Sequence, residues 1–102
     1  MNRLVLQAQV AELAAMRYTP AGLPALDLGL AHESTLSENG QPRKVQMQLR
    51  AVGIGAVTQS LAQLAPGSAA TFAGFLAASR NGKGLVFHIT EVLPESPAST
   101  VA

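Results

Sequence analysis

The stretch "KVQMQLRAVGIGAVTQSLAQL", residues 44–64, changes from one periodicity to another and decides the fold class. In its first part every second residue is apolar, and these residues are Val45, Met47 and Leu49. This period of two predicts a strand with those side chains inward and the intervening polar ones outward. In its second part the apolar residues follow helical spacing, at Ile54, Val57, Leu61 and Leu64. A strand followed by a short helix, ended by Pro66-Gly67, is therefore predicted.

Two earlier segments also alternate and predict strands with one buried face. In "RLVLQAQVAEL", residues 3–13, the inward positions are Leu4, Leu6, Ala8 and Val10. In "ALDLGLAHES", residues 25–34, the inward positions are Leu26, Leu28 and Leu30. Gly29, in the middle of the second strand, predicts a bulge or a sharp bend. The segment between them, "RYTPAGLP", contains two prolines and a glycine and predicts a loop.

Two segments after the helix, "SAATFAGFLAAS" and "GLVFHITEVL", predict a final hairpin. Asn81-Gly82 lies between them, and this dipeptide favours a type I′ turn because both of its residues tolerate positive φ. The three phenylalanines of the chain lie in these apolar strands and are predicted to be core residues. The polar segment "TLSENGQPRK", residues 35–44, predicts a mobile connection, and residues 95–102 predict a disordered tail.

The predicted order is three strands, a short helix and two further strands. This order matches the OB-fold, an all-β, five-stranded, partly open Greek-key barrel with one short helix, over residues 1–94. An SH3-like barrel also has alternating strands but has no helix at that point. The length of 102 residues suits one domain with a single core.

Composition limits the classes of function. The net charge is +1, so an anionic partner must be bound by local placement of cations. The chain has no cysteine, which excludes disulfides and suits a reducing cytosol. Gln7, Gln9 and Glu12 interrupt the N-terminal apolar run, so a signal peptide is not indicated, and no apolar run is long enough to span a membrane. A soluble, cytoplasmic protein is predicted.

The motifs of common enzymes and cofactor sites fail on inspection. His32 and His88 lack the cysteines or clustered carboxylates of a metal site, so polar positions on strand faces are the expectation. "GIGAV" lacks the third glycine of a dinucleotide fingerprint, and Gly82-Lys83 lacks the other P-loop residues. There is no G-x-S-x-G elbow. We therefore expect neither catalysis nor a bound metal or cofactor.

Cations lie where barrels of this class bind ligands, which is on strands two and three and in the loops that join strands one to two and four to five. The single-stranded DNA-binding residues predicted from this placement are Arg17, Tyr18, Arg43, Lys44, Arg50, Arg80 and Lys83. The cations would contact phosphates, and Tyr18 is either a stacking platform or packed against the barrel rim. Ordinary solvated loops would also contain such charges, so this alternative stays open.

Three segments resemble the bacterial primosomal replication protein N family: "NRLVLQAQV", "TPAGLPALDLGLAHES" and "RNGKGLVFHITEVL". The resemblance extends from about Asn2 to Leu93 and is weak between Ser34 and Gly67. It implies an OB-fold homodimer that binds single-stranded DNA in replication restart. It also implies that the protein joins the restart helicase to the partner that loads the replicative helicase. The apolar first strand is our candidate for a dimer edge.

Family DNA contacts are basic loop residues and an aromatic residue on the third strand. Arg17, Arg80 and Lys83 match the basic positions, and Gln46 lies at the position of the aromatic residue, so the resemblance adds Gln46 to the predicted DNA-binding residues. The chain departs from the pattern at Gln46, where an aromatic residue is expected, and at Glu33, where a cation is expected. Both departures weaken the expected DNA binding, with Arg43 and Lys44 compensating in part. The alternative function is therefore an OB-fold protein-interaction module with weak or no DNA binding, and a small enzyme is supported by no motif.

Overall fold

Six strands and one short helix make up residues 1–94, the part of the chain that the computed structural model describes. In chain order they are β1 (Leu4–Leu13), β2 (Arg17–Tyr18), β3 (Pro24–Glu38), β4 (Gln41–Ile54), α1 (Val57–Ala62), β5 (Ala69–Ala78) and β6 (Leu85–Pro94). The five predicted strands and the helix are confirmed, and the two-residue strand β2 is added within the predicted first loop. The predicted tail, residues 95–102, lies outside the described residues.

The five long strands close into a barrel because β1 pairs on both sides. Its residues Leu4–Gln9 pair with β5, and Gln9–Leu13 pair with β3, both antiparallel. The strand order is β1-β5-β6-β4-β3-β2, with the β1–β3 pairing closing the ring. Strands β4 and β6 run parallel over three residue pairs. The predicted five-stranded OB-fold is therefore confirmed, and no helix within residues 1–94 has the length and apolarity to cross a membrane.

The barrel interior is formed by the alternating positions predicted to face inward. Leu26, Leu28 and Leu30 are at most 5% exposed, and Phe72 and Phe87 are fully buried. Since successive side chains in a strand point to opposite faces, the period of two in the sequence transfers directly to burial. The predicted inward face of β3 and the predicted core positions of Phe72 and Phe87 are thus confirmed.

Helix α1 covers one end of the barrel. Leu61 is fully buried, and the Thr58 hydroxyl, also buried, donates a hydrogen bond of 2.7 Å to the Gly55 carbonyl oxygen. The prediction that Ile54 belongs to the helical stripe was wrong, because Ile54 ends β4 and is 41% exposed. The chain turns at Gly55, with φ of 87°, before the helix begins.

The prediction of a mobile connection over residues 35–44 was wrong. Strand β3 continues to Glu38, and β4 begins at Gln41 after a two-residue turn at Asn39-Gly40. Asn39 has φ of 53° and Gly40 has φ of 77°, as a type I′ hairpin turn requires. We call residues 32–49 the arm, because neither β1 nor β6 pairs with them. With no core beneath residues 35–44, this part of the arm needs few apolar side chains, so its sequence resembles a loop.

The arm also changes the burial expected in β4. Val45, Met47 and Leu49 share the inward face as predicted, but Met47 is 40% exposed and the other two are only half-buried. Full burial, as a strand interior to the barrel would have, was therefore the wrong expectation for Met47. The alternation fixes the face of a side chain, whereas its burial depends on what the rest of the fold places beneath that face.

The bulge or bend predicted at Gly29 in β3 lies instead in β1, the strand that pairs with Gly29. The β1–β3 register shifts between Val10 and Glu12 in β1, so Glu12 rather than Ala11 pairs with Gly29. A second bulge lies in β6, where Ala73 pairs with Glu91 but Gly74 pairs with Ile89, leaving Thr90 as the extra residue. These bulges bend the strands around the barrel and re-aim the side chains that follow.

Candidate nucleic-acid interface

One surface of the barrel combines side chains from four strands, and we call it the outer face. Asp27 pairs with Val52, Val52 with His88, and His88 with Phe75. Directly paired residues of neighbouring strands share a face, so these four side chains form one row across β3, β4, β6 and β5. Arg50 lies two residues before Val52 and shares this face. This row lies on the face of the sheet that points away from the core. The predicted site residues are located relative to this row.

Arg17 is held on the outer face by a two-pronged ion pair. Its Nε lies 2.6 Å from Asp27 Oδ2, and its terminal nitrogen donates to Asp27 Oδ1 at 3.0 Å. The hydrogen bond from Arg17 lowers the pKa of Asp27 below its ordinary value, burial opposes this shift, and the charges of Arg17 and Arg50 add to it. Arg17 thus reaches the predicted strand surface, but with its charge matched by a carboxylate.

Arg50 is an outer-face cation with no such partner. Its side chain is exposed, and within residues 1–94 it forms no ion pair. It lines a depression of about 580 Å³ together with Glu12, Asp27, Gly29 and Val86. Gly29, which pairs with Arg50, has no side chain, and a Cβ there would have Glu12 Cβ as its nearest neighbour, at 3.7 Å. This position suits contact with an anion that approaches the sheet.

The two cations of the arm are placed on opposite faces. Lys44 shares the outer face, where its Nζ lies 3.8 Å from Glu33 Oε1, and Gln46 donates to Glu33 Oε2 at 3.2 Å. Arg43 belongs to the inward face and lies 3.8 Å from Glu38 Oε1. Adjacent strand residues cannot share a face, so the structure separates Arg43 from the other predicted residues of β4.

Arg80 and Lys83 lie in a six-residue loop, Ser79–Gly84, and the prediction of a type I′ turn at Asn81-Gly82 was wrong. Among residues 1–94, Asn39 is the single non-glycine with positive φ, whereas type I′ needs positive φ at both central residues. Instead, Gly82 donates to the Ser79 carbonyl at 2.9 Å, and Asn81 Oδ1 accepts the Lys83 N–H at 2.9 Å.

The loop presents both of its cations to solvent. Asn81 and Ser79 fix the loop backbone, while Arg80 and Lys83 are exposed and form no ion pair within the described residues. Strands β5 and β6 lead directly from the outer face into this loop. Ala51 pairs with Phe87 near the start of β6, so the preceding residue Arg50 lies toward the loop end of this surface.

The exposure of two aromatic residues, Tyr18 and Phe75, bears on the predictions made for them. Tyr18 is 69% exposed, which supports a platform over packing against the rim. The prediction that all phenylalanines are core was wrong for Phe75, which is 39% exposed on the outer face and stacks on His88 with ring centroids 4.9 Å apart. The spacing contained a signal for this: Phe72 and Phe75 are three residues apart in one strand, and odd spacing places them on opposite faces.

Both histidines have local partners. His32 Nδ1 lies 2.6 Å from the Gln7 carbonyl oxygen and its Nε2 lies 2.8 Å from Ser34 Oγ, while His88 packs on Phe75. Within residues 1–94 no three His, Cys, Asp or Glu side chains are grouped so as to hold a metal ion.

A groove of about 750 Å³ between β1 and the arm is lined by polar amides, among them Gln9, Gln46 and Gln48.

The fold and this surface define the class of protein. A family model described as "Another single-strand binding protein family" matches residues 2–91. The chain belongs to this single-strand binding protein family.

Individual relatives narrow the comparison. The replication restart protein PriB of Bordetella pertussis is 49% identical over 80 residues, covering 78% of this chain and 75% of the relative. The solved structure of PriB from Ralstonia solanacearum matches with a TM-score of 0.86 at 38% identity, covering 94% of this chain and 99% of that chain. The single-stranded DNA binding protein from Thermus aquaticus matches with a TM-score of 0.75 at 25% identity, covering 97% of this chain and 52% of that chain. These findings confirm the resemblance to the primosomal replication protein N family.

Proposed function

We propose that this protein is a non-catalytic, cytoplasmic subunit of the replication-restart primosome that binds single-stranded DNA on its outer face. The observation that carries the proposal is the set of exposed cations without an ion-pair partner in residues 1–94 at one end of that face: Arg50, Arg80 and Lys83. OB-folds bind single strands with a cationic groove and stacked aromatic residues. Family membership and the restart relatives agree with this surface chemistry.

The remaining predicted residues differ in how much they contribute to DNA binding in this proposal. Tyr18, highly exposed, offers a ring to a base, and Lys44 and Gln46 extend the surface along the arm. Arg17 contributes less, since Asp27 already neutralises it.

A salt titration tests the proposal. Fluorescence anisotropy with labelled oligo-dT measures the dissociation constant at several salt concentrations, and binding is expected to weaken as salt rises. The double variant Arg80→Ala, Lys83→Ala removes two phosphate contacts, and each contact contributes about −0.7 to the log–log salt slope. The slope is therefore expected to flatten by about 1.4.

Arg43→Ala provides the matched control, because it removes one cation from the opposite face of the arm. We expect Arg43→Ala to leave the slope nearly unchanged, while Arg80→Ala alone flattens it by about 0.7. An equal response to Arg43→Ala and Arg80→Ala would mean that the loop has no special contact with phosphate. No binding of oligo-dT even at low salt would overturn the proposal.

The acidic residues favour a second candidate, a protein-interaction module with weak or no DNA binding. Glu33 contacts both Lys44 and Gln46, and Asp27 forms an ion pair with Arg17. Three of the predicted DNA-binding residues are therefore already bound to carboxylates of the protein itself. The same anisotropy titration separates the two functions, since this module would bind oligo-dT at neither low nor moderate salt.

We further propose that the protein is a homodimer that joins through β1 and the arm. Pairing between β1 and β3 begins at Gln9 and Ala31, and a groove separates the N-terminal edge of β1 from the arm. The apolar face of the arm is uncovered, with Leu36 59% and Met47 40% exposed. A second copy would cover this face and the edge together.

Light scattering after size exclusion tests the dimer. Met47→Glu places a charge on the apolar face of the arm and is expected to give a monomer. Thr35→Glu, an exposed position on the other face of the arm and outside the groove, is the control and is expected to remain dimeric. A wild-type monomer at micromolar concentration, or dissociation by Thr35→Glu alone, would contradict this arrangement.

The partners in this proposal are the restart helicase and the protein that loads the replicative helicase. The support is that the relatives are named replication restart proteins. In a forked-DNA unwinding assay with the purified restart helicase, the wild-type protein is expected to increase the unwinding rate. Equal rates with and without the protein would count against this partnership.

A further inference from the structure

We infer that the Phe75–His88 ring pair is a base-stacking platform for single-stranded DNA, an inference that rests on the proposed function. The rings are nearly parallel, with an interplanar angle of 7° and centroids 4.9 Å apart. Phe75 is 39% exposed, and His88 is half-buried beside it. The pair thus offers an aromatic face on the outer face, in a chain whose third long strand has Gln46 where an aromatic residue was expected.

The fold builds this pair with a bulge. If the pairing of β5 and β6 continued regularly, with no bulge at Thr90, Gly74 would pair with Thr90 and Phe75 with Ile89, since antiparallel pairing moves one residue at a time. The bulge brings His88 opposite Phe75 and keeps Ile89 in the core at 2% exposure. Bulges often re-aim side chains at functional sites, and here the re-aimed residue is His88.

Core packing does not account for the exposed ring of Phe75. The neighbouring Leu76 packs against the core cluster from the opposite face of β5, whereas Phe75 has no place in that cluster. A large apolar ring kept at the surface loses the favourable burial that stabilises Phe72 and Phe87. A ligand with an aromatic face would recover that contact on binding.

Cations lie on both sides of the ring pair. Arg50 is two strands away from Phe75, about 10 Å across the sheet, and two residues from that row along β4, about 7 Å, because neighbouring strands are about 4.8 Å apart and a strand rises about 3.3 Å per residue. On the other side, Leu4 pairs with Gly74, so continuing the register by one residue places Arg3 opposite Phe75. The side chain of Asn2 holds this end of β1 in place, donating to the Leu76 carbonyl at 2.6 Å and accepting its N–H at 3.0 Å.

This arrangement matches the chemistry of a nucleotide strand. A base has an apolar, polarisable face that stacks on aromatic rings, and its phosphates are anionic. Rings in the middle with Arg3 and Arg50 at the flanks would bind a base and neighbouring phosphates together. Because every base has such a face, the platform is expected to tolerate any sequence.

The test compares two oligonucleotides of equal length, one of dT and one of abasic sites, by fluorescence anisotropy with the full-length protein. Phe75→Leu keeps apolar bulk and removes the ring, and it is expected to weaken oligo-dT binding about tenfold with an unchanged salt slope. Binding of the abasic strand is expected to stay at the wild-type level. Phe75→Tyr keeps the ring and is expected to retain wild-type binding of oligo-dT.

A second readout uses the wild-type protein alone. Stacking of a base shifts the ring protons of Phe75 and His88 upfield in the NMR spectrum when oligo-dT is added, so the inference is tested even if a variant unfolds. Wild-type affinity of Phe75→Leu for oligo-dT, or unshifted ring protons at saturation, would overturn the platform while leaving the proposed function intact. Failure of the wild-type protein to bind either oligonucleotide would overturn both.

Discussion

Gly74→Ala is expected to be the most damaging alanine substitution among three strand glycines, because β6 approaches Gly74 with its backbone. An added Cβ would overlap the His88 carbonyl oxygen and lie 2.9 Å from the His88 carbonyl carbon and 3.1 Å from Ile89 Cα. None of these atoms belongs to a flexible side chain, so relief requires opening the β5–β6 ladder at the Thr90 bulge.

The magnitude follows from the kind of atom that must move. Overpacking typically costs 1–3 kcal/mol, and a fixed backbone places Gly74→Ala near the upper end, at about 3 kcal/mol. For a domain of this size each kcal/mol lowers the melting temperature by roughly 4–8 °C, so a fall of about 15 °C is expected. Thermal unfolding followed by circular dichroism, at one fixed protein concentration, measures it.

Two other glycines without positive φ serve as controls. At Gly29 an added Cβ would meet Glu12 Cβ at 3.7 Å, an ordinary contact, so Gly29→Ala is expected to change stability by less than about 0.5 kcal/mol. At Gly53 it would overlap Leu61 Cδ1 and lie 3.0 Å from Val57 Cγ1, which are side-chain tips that can shift. Gly53→Ala is expected to cost about 1.5 kcal/mol. If Gly74→Ala has the same melting temperature as Gly29→Ala, the reasoning from backbone contact fails.

Three further outcomes are expected. Arg17→Ala is expected to raise the pKa of Asp27 toward 3.8 in a carboxyl NMR titration; because the folded pKa is lowered, the wild-type pair stabilises the fold above that value and loses this effect as pH falls through the lowered pKa. Glu33→Gln releases Lys44 and is expected to tighten oligo-dT binding in anisotropy and steepen the salt slope by about 0.7, whereas an unchanged slope would leave Lys44 without a phosphate contact. Asn39→Val places a β-branched residue at φ of 53° and is expected to lower unfolding free energy in urea by about 1–2 kcal/mol, with Asn39→Gly close to wild type.

The barrel strands and the helix were predictable because their signals are local. Leu26, Leu28 and Leu30 alternate along the chain, and a period of two is enough to place them on one face. The helix followed from a change of period, with Leu61 as its buried residue. Such patterns depend only on the geometry of one element, so a single sequence is sufficient to read them.

Residues 35–44, the outer part of the arm, were not predictable as strand from the same rule. Most of these residues are polar because no barrel wall lies beneath them, and the rule that finds strands depends on a buried face. The Asn39-Gly40 dipeptide was the available signal, since it is the typical sequence of a type I′ hairpin turn. The same dipeptide at Asn81-Gly82 gave a wider loop, so turn sequence alone did not decide turn geometry.

The sequence by itself determined the order of the five long strands and the helix, the inward faces of β1, β3 and β4, and the presence of cations suited to an anionic ligand. Only the tertiary structure decided that Asp27 neutralises Arg17, that Arg43 and Lys44 have opposite faces with separate acids, and that Phe75 meets His88 at the surface. The physical reason is register. Faces are set by the geometry of one strand, whereas cross-strand neighbours depend on pairings and bulges between segments far apart in the chain.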